Sequence, residues 1–343
     1  MINKCLCGHT FEEIFSLIST SGYTRAHALS ISNSIYKKKA IELASITGIP
    51  RKLKEELSEN ACIGITKPVT SEVSFDRSVK YLFRTECGKE FETVFIPETK
   101  RQTVCVSTQS GCRMGCSFCA TGRYGFHGNL TTGEIVNQIL SLPDSQKITH
   151  VVFMGMGEPM DNLDNVLKAC EIITAEWGLA ISPRNVTVST VGITPAVKKF
   201  LKFSACNLTL SLHTPFSSQR EKITPVEKRY PARAMIDLMK AHPLKKKRRL
   251  SIAYIMIRNF NDSDPHLEEL KSLLKNSNIR INLLPYHNSG NDPYISSTEE
   301  RMQFFKHGLV ISGISASIRK SRGADISAAC GLLAKELKQP CQL

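Results

Sequence analysis

From about residue 103 onward, short apolar segments rich in β-branched residues alternate with segments whose apolar residues recur at helical spacing. Six such units follow one another, and their strand segments read TVCVST, HVVFMGM, NVTVSTVG, NLTLSLH, RLSIAYIMI and INLLPYH. Alternation of this kind predicts an α/β fold with a parallel sheet covered by helices. Because a full barrel needs eight units, we expect a partial (β/α)6 barrel, with a doubly wound open sheet as the alternative.

Segments rich in glycine and polar residues directly follow five of the predicted strands. They read GCRMGCSFC, GMGEP, STVG, SLHTP and PYHNSG. Barrel enzymes build their active sites at the carboxyl ends of the strands. Turns collect glycine and serine in any fold, but five strand ends of this character predict one shared site at that rim.

The regions that flank the barrel have different patterns. Residues 1–70 are polar with helical spacing, and they predict a helical accessory domain. Residues 71–103 carry two strand patterns around the turn ECGK, and they predict a small β-hairpin extension. We assign residues 104–320 to the partial barrel and residues 321–343 to a C-terminal segment.

Local signals predict where two of the barrel helices begin. Thr131 with Glu134, and Ser297 with Glu300, have the spacing of a capping box. A last strand-like segment, SASIRKS, follows the sixth unit.

The charge and the N-terminal sequence indicate the environment of the protein. Among 343 residues, 45 Lys and Arg against 31 Asp and Glu give a net charge of +14, which favours a polyanionic partner such as nucleic acid. The start, MINKCLCGHTFEEIF, has two acids where a signal peptide needs an apolar stretch, and the longest apolar runs are too short to cross a bilayer. We therefore expect a cytoplasmic protein with no membrane partner, in which the twelve cysteines are not a disulfide scaffold.

Three of these cysteines, Cys112, Cys116 and Cys119, follow the first barrel strand at spacings of four and three. A [4Fe–4S] cube normally takes one cysteine per iron, so three thiolates leave one iron open. An open coordination position is typical of a catalytic metal, and this iron could bind a small molecule through an amine and a carboxylate. Phe118 could shield such a cluster from water. A zinc site with a distant fourth ligand is the alternative.

This CxxxCxxC loop, placed after the first strand of a partial barrel, resembles the radical S-adenosylmethionine superfamily, and GMGEP resembles its amino-acid-binding motif. Further motifs narrow the resemblance to the adenine methyltransferases of the RlmN/Cfr type, in the order FETVFIPE, CVSTQSGCRMGCSFCATG, FMGMGEP, VTVSTVG, SLHTP, NDSDPH and RKSRGADISAACG. These span most of residues 70–335. The resemblance implies one [4Fe–4S] cluster per chain, two S-adenosylmethionine molecules per turnover, and an adenosine of 23S rRNA as substrate.

Within this family, Arg322 and Gly323 ahead of the last motif cysteine resemble the dual-specificity branch, which methylates adenine C2 in 23S rRNA and in tRNA. A C8-specific methyltransferase of the antibiotic-resistance type is the alternative. The other hypotheses are an activase of the same superfamily and a zinc-stapled RNA-binding module. The resemblance implies an electron donor such as flavodoxin or ferredoxin, and we expect a monomer whose residues 1–70 contact RNA.

The resemblance also implies roles for single residues. Cys330 would accept a methyl group and carry it to the adenine, Cys105 would release the product by forming a disulfide with Cys330, and Glu92 would accept a proton. The cluster ligands would be Cys112, Cys116 and Cys119. The cofactor-binding residues would be Gly157, Glu158, Ser189, Ser211, Leu212, His213, and either His287 or Asn288.

The chemistry gives a separate reason for this set of residues. Adenine C2 and C8 are amidine-type carbons and poor nucleophiles, so direct methyl transfer from a sulfonium would fail. A radical route avoids this difficulty. A side chain that first carries the methyl group separates the donor molecule from the molecule that is cleaved to a radical.

Overall fold

The computed structural model of the protein describes residues 4–243, 248–288, 293–334 and 336–337. Outside the described residues lie Ser289 and Gly290 of the PYHNSG motif, and residues 335 and 338–343 of the predicted C-terminal segment. The strands are β1 (Lys4–Cys5), β2 (Ala61–Cys62), β3 (Thr70–Val73), β4 (Val79–Arg84), β5 (Glu90–Pro97), β6 (Gln102–Cys105), β7 (Gln109–Gly111), β8 (Phe126–Asn129), β9 (His150–Phe153), β10 (Val186–Thr190), β11 (Asn207–Ser211), β12 (Leu250–Met256), β13 (Arg280–Pro285) and β14 (Ala316–Ile318). The helices are α1 (Phe11–Ser19), α2 (Arg25–Tyr36), α3 (Arg51–Asn60), α4 (Ala120–Tyr124), α5 (Thr132–Leu140), α6 (Leu163–Thr174), α7 (Thr194–Phe203), α8 (Ser217–Ile223), α9 (Ala232–Ala241), α10 (Asp264–Leu274) and α11 (Glu299–Ile311).

The central sheet has ten strands within the described residues, in the order β14-β13-β12-β11-β10-β9-β6-β5-β4-β3. Seven of these strands, β6, β9, β10, β11, β12, β13 and β14, pair in parallel, each with the next in that order. β7 and β8 form a separate antiparallel pair. The order never reverses, as it does at the switch point of a doubly wound sheet. β6 and β14 are not paired, so the barrel stays open, and the predicted partial barrel is confirmed.

Side chains alternate between the two faces of the barrel strands, as period-2 geometry requires. Val188 and Leu210 are fully buried in the main hydrophobic core that the covering helices share. Polar residues lie between them and bond across neighbouring strands on the other, concave face. Ser189 Oγ is 3.2 Å from Ser211 Oγ, and Thr209 Oγ1 is 2.8 Å from Ser251 Oγ. The interior of the open barrel is therefore lined with small polar groups.

The β extension belongs to the same sheet as the barrel. β4 and β5 form the predicted hairpin, closed by the bond from Thr85 N–H to Lys89 O at 2.8 Å. The chain adds a third antiparallel strand, β3, which the sequence pattern did not indicate. β5 then pairs antiparallel with β6. Residues of β5 consequently lie next to the first barrel strand.

The N-terminal helices dock on the barrel through close backbone contact. A Cβ at Gly133, near the start of α5, would lie 2.6 Å from Cys7 O. Nearby, Asn137 Nδ2 donates to Thr66 O at 2.9 Å, and Lys168 Nζ pairs with Glu13 Oε1 at 2.7 Å. Three different elements of the N-terminal region thus contact the same side of the barrel.

One of the two predicted capping boxes is confirmed. Thr131 and Glu134 exchange side-chain and backbone bonds at the start of α5. The prediction for Ser297 is wrong: the cap of α11 is Thr298, whose Oγ1 accepts from Arg301 N–H at 3.2 Å. Ser297 is buried, and its hydroxyl donates to Asp262 Oδ2 at 2.7 Å. A tertiary partner therefore takes the hydroxyl that local spacing assigned to the cap.

None of the helices in the described part of the chain combines the length and the apolar character that crossing a bilayer would require.

We predict that Gly133→Ala destabilises the protein by about 1–3 kcal/mol, because the new methyl group forces backbone apart where the N-terminal region docks. Unfolding in urea, followed by fluorescence, measures the change. The control is Gly308→Ala in α11, where the added Cβ would lie 2.8 Å from a side-chain methyl group of the buried Leu267 and meet no backbone of another element, so we expect a smaller loss. Equal stability of both variants would contradict the docking contact.

Candidate active site

The cysteine loop connects β7 to the short helix α4 at the barrel rim. The two ends of the loop are close together. A Cβ at Gly111 (φ +73°) would lie 1.6 Å from Gly125 O, and Cys112 N–H donates to that same oxygen at 2.8 Å. Cys119 N–H donates to Cys116 O at 3.1 Å, which curls the loop. The sequence therefore folds the three predicted ligands, Cys112, Cys116 and Cys119, into one compact turn.

The surroundings of these thiols fit an iron–sulfur cluster. Cys116 packs in a small apolar group with Phe118, Val191, Ile255 and Tyr286 at the strand ends. Burial raises the pKa of the Cys116 thiol to about 12, so only a strong local positive charge, such as bound iron, would hold it as a thiolate. Exclusion of water from such a site is one of the factors that set the reduction potential of a bound cluster.

The three thiols lie within one short loop, which the bond from Cys119 N–H to Cys116 O curls. Burial raises the pKa of Cys112, and the charges of Cys119 and Cys116 add to this effect. Within the described residues, no three His, Cys, Asp or Glu side chains converge as the ligands of a single metal ion would. Three thiolates need not converge on one point to hold a [4Fe–4S] cube, because each of them binds a different iron. The donor set of three soft sulfurs suits that cube.

The GMGEP loop lies directly against the strand that leads into the cysteine loop. Gly157 has φ +96°, and a Cβ there would lie 2.5 Å from the Cβ of Gln109. Gln109 is fully buried and accepts from Glu158 N–H at 2.9 Å, while its amide donates to Asp161 Oδ2 at 2.8 Å. Sequence reasoning missed Gln109, which fixes the position of the predicted amino-acid-binding motif.

The carboxylate of Glu158 is buried and already has two backbone partners. Oε1 accepts from Met160 N–H at 3.0 Å and Oε2 accepts from Val191 N–H at 2.9 Å. Burial raises the pKa of Glu158 to about 7, although these bonds act in the opposite direction. A carboxylate with this pKa is poised between its two states at neutral pH, and a bound ammonium group would favour the ionised one.

The predicted cofactor residues at the carboxyl ends of β10 and β11 are either accessible on the concave face or buried. Ser189 and Ser211 bond to each other on the concave face, where a ligand can reach them. The side chain of Leu212 is buried. His213 is buried with φ +62°; its Nδ1 accepts from Ile255 N–H at 3.2 Å, and burial lowers its pKa to about 3. Its ring meets that of Phe118 edge-on at 4.8 Å, which places a neutral imidazole beside the cysteine loop.

A buried arginine that the sequence did not single out organises this part of the rim. Arg220 Nη1 pairs with Glu227 Oε2 at 2.5 Å, and both side chains are almost fully buried. The remaining guanidinium donors reach Val191 O at 2.7 Å, Ser211 O at 2.9 Å and Leu212 O at 3.0 Å. No periodic signal marks this residue, because its partners lie on separate strand ends.

The three predicted catalytic residues come together at the other side of the rim. Cys105 ends β6 and is buried, while Cys330 is exposed in the C-terminal segment. Burial raises the pKa of Cys105 well above its usual range, and the charge of Cys330 adds to this effect. Cys105 pairs with Val94 of β5, two residues beyond Glu92. Glu92, on β5, accepts from Ala334 N–H at 2.7 Å, four residues beyond Cys330.

The same segment touches the cysteine loop. Ala120 N–H donates to Gly331 O at 2.8 Å, and Thr121 Oγ1 donates to Leu333 O at 2.9 Å. Loss of hydration in this crowded recess raises the pKa of the exposed Cys330 thiol, and Cys119 adds to the effect. The carrier candidate therefore lies next to the three-thiol loop.

The last predicted cofactor residues lie after β13. His287 is half-buried, and its Nε2 is within hydrogen-bonding distance of Ser321 Oγ. Burial lowers its pKa. Asn288 is exposed. His287 thus contacts the segment that leads to Cys330.

The open barrel, the three-thiol loop and the GMGEP loop define the radical S-adenosylmethionine class. Residues 106–270 match the Radical SAM superfamily. A "Probable dual-specificity RNA methyltransferase RlmN" from Parabacteroides distasonis is 43% identical over 96% of both chains, and a "Dual-specificity RNA methyltransferase RlmN" from Syntrophotalea carbinolica is 38% identical over 96% of this chain and 89% of its own. The crystal structure of a radical SAM methyltransferase from Sphaerobacter thermophilus superposes with a TM-score of 0.90 at 34% identity, over 97% of this chain and 100% of that one.

This chain belongs to the RlmN family of radical S-adenosylmethionine RNA methyltransferases. The membership confirms the resemblance stated from the motifs, and it excludes a non-enzymatic zinc-stapled module. The family implies a [4Fe–4S] cluster and S-adenosylmethionine, and the residues described above fit both.

We predict that Arg220→Met destabilises the protein by about 3–5 kcal/mol, because it leaves Glu227 charged and buried without its partner. Adding Glu227→Leu to the same chain should recover much of the loss. Urea unfolding at pH 7 measures both effects. The control is Arg233→Met, which removes a largely exposed pair with Glu269 and should change stability by less than about 1 kcal/mol.

A second prediction concerns Glu158 and pH. Because its folded pKa of about 7 exceeds its ordinary value of 4.5, the group favours folding below pH 4.5 and loses that contribution as pH rises to 7. Relative to Glu158→Gln, the wild-type protein should lose up to about 3 kcal/mol across this window. Urea unfolding of the two proteins from pH 5 to pH 8 tests this, and a pH-independent difference between them would contradict it.

Proposed function

We propose that the protein methylates C2 of adenosine in 23S rRNA and in tRNA, by a ping-pong route through methylated Cys330. The observation that carries this proposal is the convergence of Cys330, Cys105 and Glu92 beside the loop of Cys112, Cys116 and Cys119. A methyl carrier, a second thiol and a carboxylate are the groups that methylation of an unreactive carbon requires in addition to a radical source. The curated relatives carry the name of a dual-specificity RNA methyltransferase.

In the proposed first stage, the Cys330 thiolate attacks the methyl carbon of S-adenosylmethionine, forming S–CH3 and releasing S-adenosylhomocysteine. When held by Cys112, Cys116 and Cys119, the cluster would supply the electron for cleavage of a second S-adenosylmethionine to methionine and a 5′-deoxyadenosyl radical. Loss of one hydrogen atom from methylated Cys330 to that radical leaves S–CH2•, which adds to adenine C2. The protein and the RNA are then joined covalently.

In the second stage, the adduct returns one electron to the oxidised flavodoxin or ferredoxin, which balances the electron delivered for cleavage, and Glu92 accepts the C2 proton. The Cys105 thiolate then attacks the sulfur of Cys330. An S–S bond forms, the S–CH2 bond breaks, and the released carbon takes up a proton to become the methyl group. A dithiol reductant must restore the two thiols before the next cycle.

For the cofactors, we propose that Cys112, Cys116 and Cys119 hold the cluster. The loop of Gly157 and Glu158, the hydroxyls of Ser189 and Ser211, and the turn at Leu212 and His213 would hold S-adenosylmethionine. Since both Glu158 oxygens already accept backbone amides, the loop carbonyls would share the methionyl amine with this carboxylate. His287 contacts Ser321 in the segment that leads to Cys330, which supports His287 as a cofactor contact, with Asn288 as the alternative.

The choice of C2 over C8 is supported by the Arg322–Gly323 pair. Gly323 has φ +62°, and its N–H donates to Asp76 Oδ2 at 2.9 Å. Arg322 lies between Asp76 and Glu98, at 3.9 and 3.6 Å. Arg322 and Gly323 form the turn through which the chain enters the segment that carries Cys330. The net charge of +14 suits an RNA substrate, and we propose a cytoplasmic setting with a flavodoxin or ferredoxin as electron donor.

We predict that Cys105→Ala accumulates a covalent protein–RNA adduct through Cys330, because no thiol remains to release the product. Reconstituted enzyme is incubated anaerobically with S-adenosylmethionine, reductant and an RNA fragment, and the mixture is resolved by denaturing gel and peptide mass spectrometry. Cys170→Ala, which removes a buried cysteine of α6, is the control and should turn over normally.

Several outcomes would count against the proposal. Multiple turnovers by Cys105→Ala would remove the assigned role of that thiol, and an adduct through another residue would remove the role of Cys330. In the wild-type product, mass spectrometry of RNA fragments locates the methyl group. A methyl group at C8 would replace the C2 assignment.

A further inference from the structure

The segment that carries Cys330 has no helix or strand within its described residues, from Arg319 to Ala334 and at 336–337. Its position therefore depends on tertiary contacts. Its first anchor is on the β extension: Asp76 Oδ2 accepts from Gly323 N–H at 2.9 Å, and Ser74 Oγ donates to Asp325 Oδ1 at 2.6 Å. These contacts hold the beginning of the segment, five or more residues before Cys330.

The second anchor is Lys80, a lysine on β4 whose side chain is only 6% exposed. Its Nζ lies 3.3 Å from Glu92 Oε1, 3.2 Å from Glu72 Oε2 and 3.2 Å from Glu336 Oε2. Glu92 in turn accepts Ala334 N–H through its other oxygen at 2.7 Å. One ammonium group thus joins two strands of the extension to the chain on the C-terminal side of Cys330.

The same network also reaches the N-terminal side of Cys330. Glu336 uses its second carboxylate oxygen to accept from Ser327 Oγ at 2.9 Å. Ser327 and Glu336 therefore meet at the base of a loop whose tip is Cys330, and Lys80 contacts that base. The opposite side of the loop is held by the bonds from Ala120 and Thr121 to the carbonyls of Gly331 and Leu333.

The charges explain why Lys80 is the centre of this arrangement. Glu92 is 4% exposed, while Glu72 and Glu336 are about half exposed. A buried carboxylate without a cation is strongly unfavourable, so Glu92 needs Lys80, whereas the other two have water. Burial alone would lower the pKa of Lys80, but the three carboxylates outweigh it and the pKa is raised, which keeps the ammonium charged.

We propose that Lys80 is a positioning residue that fixes the Cys330 loop between the β extension and the cysteine loop, through its contacts with Glu92 and Glu336. This rests on the proposed function in assigning Cys330 as the methyl carrier. The position of the loop itself does not depend on that assignment. While the loop is docked, Lys80 and the Ala334 N–H each contact one oxygen of Glu92, so the same contacts that hold the loop also orient the carboxylate proposed as the proton acceptor.

Hydrogen exchange measured by mass spectrometry on the full chain, prepared anaerobically with its cluster, tests the proposal. Lys80→Met should raise exchange in peptides covering residues 323–334 by about tenfold, while peptides of α5 and α6 stay unchanged. Lys80→Arg should restore most of the protection, because it keeps the charge. The control is Lys147→Met, which removes an exposed pair with Asp144 and should leave exchange in that segment as in the wild type.

Glu336→Gln provides a second variant that keeps the buried Lys80–Glu92 pair, so it tests the loop even where Lys80→Met fails to fold. It should raise exchange at residues 323–334 by a smaller factor. Unchanged exchange in this segment for Glu336→Gln and Lys80→Met would overturn the proposal. So would a uniform rise over the whole barrel, or protection by Lys80→Arg no better than by Lys80→Met.

A separate readout distinguishes this proposal from the proposed function. After incubation with S-adenosylmethionine, peptide mass spectrometry measures the methylated fraction of Cys330. Faster exchange with a reduced methylated fraction in Lys80→Met supports positioning. Faster exchange in Lys80→Met, together with no methylation of Cys330 in the wild type, would end the carrier role and still support the positioning of the loop by Lys80.

Discussion

The guanidinium of Arg220 is the interaction on which the rim of the barrel depends. Strand ends expose carbonyl oxygens that have no further partner in the sheet, and buried carbonyls need a donor. Arg220 supplies donors to Val191 O, Ser211 O and Leu212 O, while Glu227 compensates its charge. The ends of β10 and β11 are thereby held in fixed relation to each other. The GMGEP loop is attached to the same place, since Glu158 accepts from Val191 N–H.

Buried charge is compensated differently on the two sides of the rim. On the β10–β11 side, Glu158 has backbone amides but no cation, and its pKa is raised by burial to about 7. On the β5 side, Glu92 has Lys80, yet burial still outweighs that partner and raises its pKa. The first arrangement leaves room for the ammonium group of a ligand. The second already contains its cation and is closed by a segment of the chain itself.

Much of this site could be predicted from sequence because its signals are local. The strand–helix alternation gave the open barrel, the CxxxCxxC spacing indicated the three-thiol loop, and the motif order indicated the family. The residues that were missed act through distant partners. Arg220 binds carbonyls on other strands, Lys80 binds carboxylates from β3, β5 and residue 336, and Gln109 is fully buried beneath the GMGEP loop.

The predicted cap at Ser297 was wrong for the same reason, because its hydroxyl has a distant tertiary partner. The spacing to Glu300 was correct for a capping box, but the hydroxyl is buried and bonds to Asp262, 35 residues away in sequence. The helix consequently begins with Thr298 as its cap. Local spacing identifies which residues can cap a helix. The tertiary environment decides which of them does, and a buried charged acceptor competes strongly with a backbone N–H.

The different exposure of the two thiols that we propose to be catalytic suits the proposed order of reaction. Cys330 is exposed at the tip of its loop, where a small sulfonium substrate can reach the sulfur. Cys105 is buried at the end of β6, and burial holds its pKa well above the usual range, so it rests as a neutral thiol. A thiolate at Cys105 could destroy S-adenosylmethionine or form the disulfide too early. Its burial disfavours both reactions, because the thiol must lose its proton before it can react.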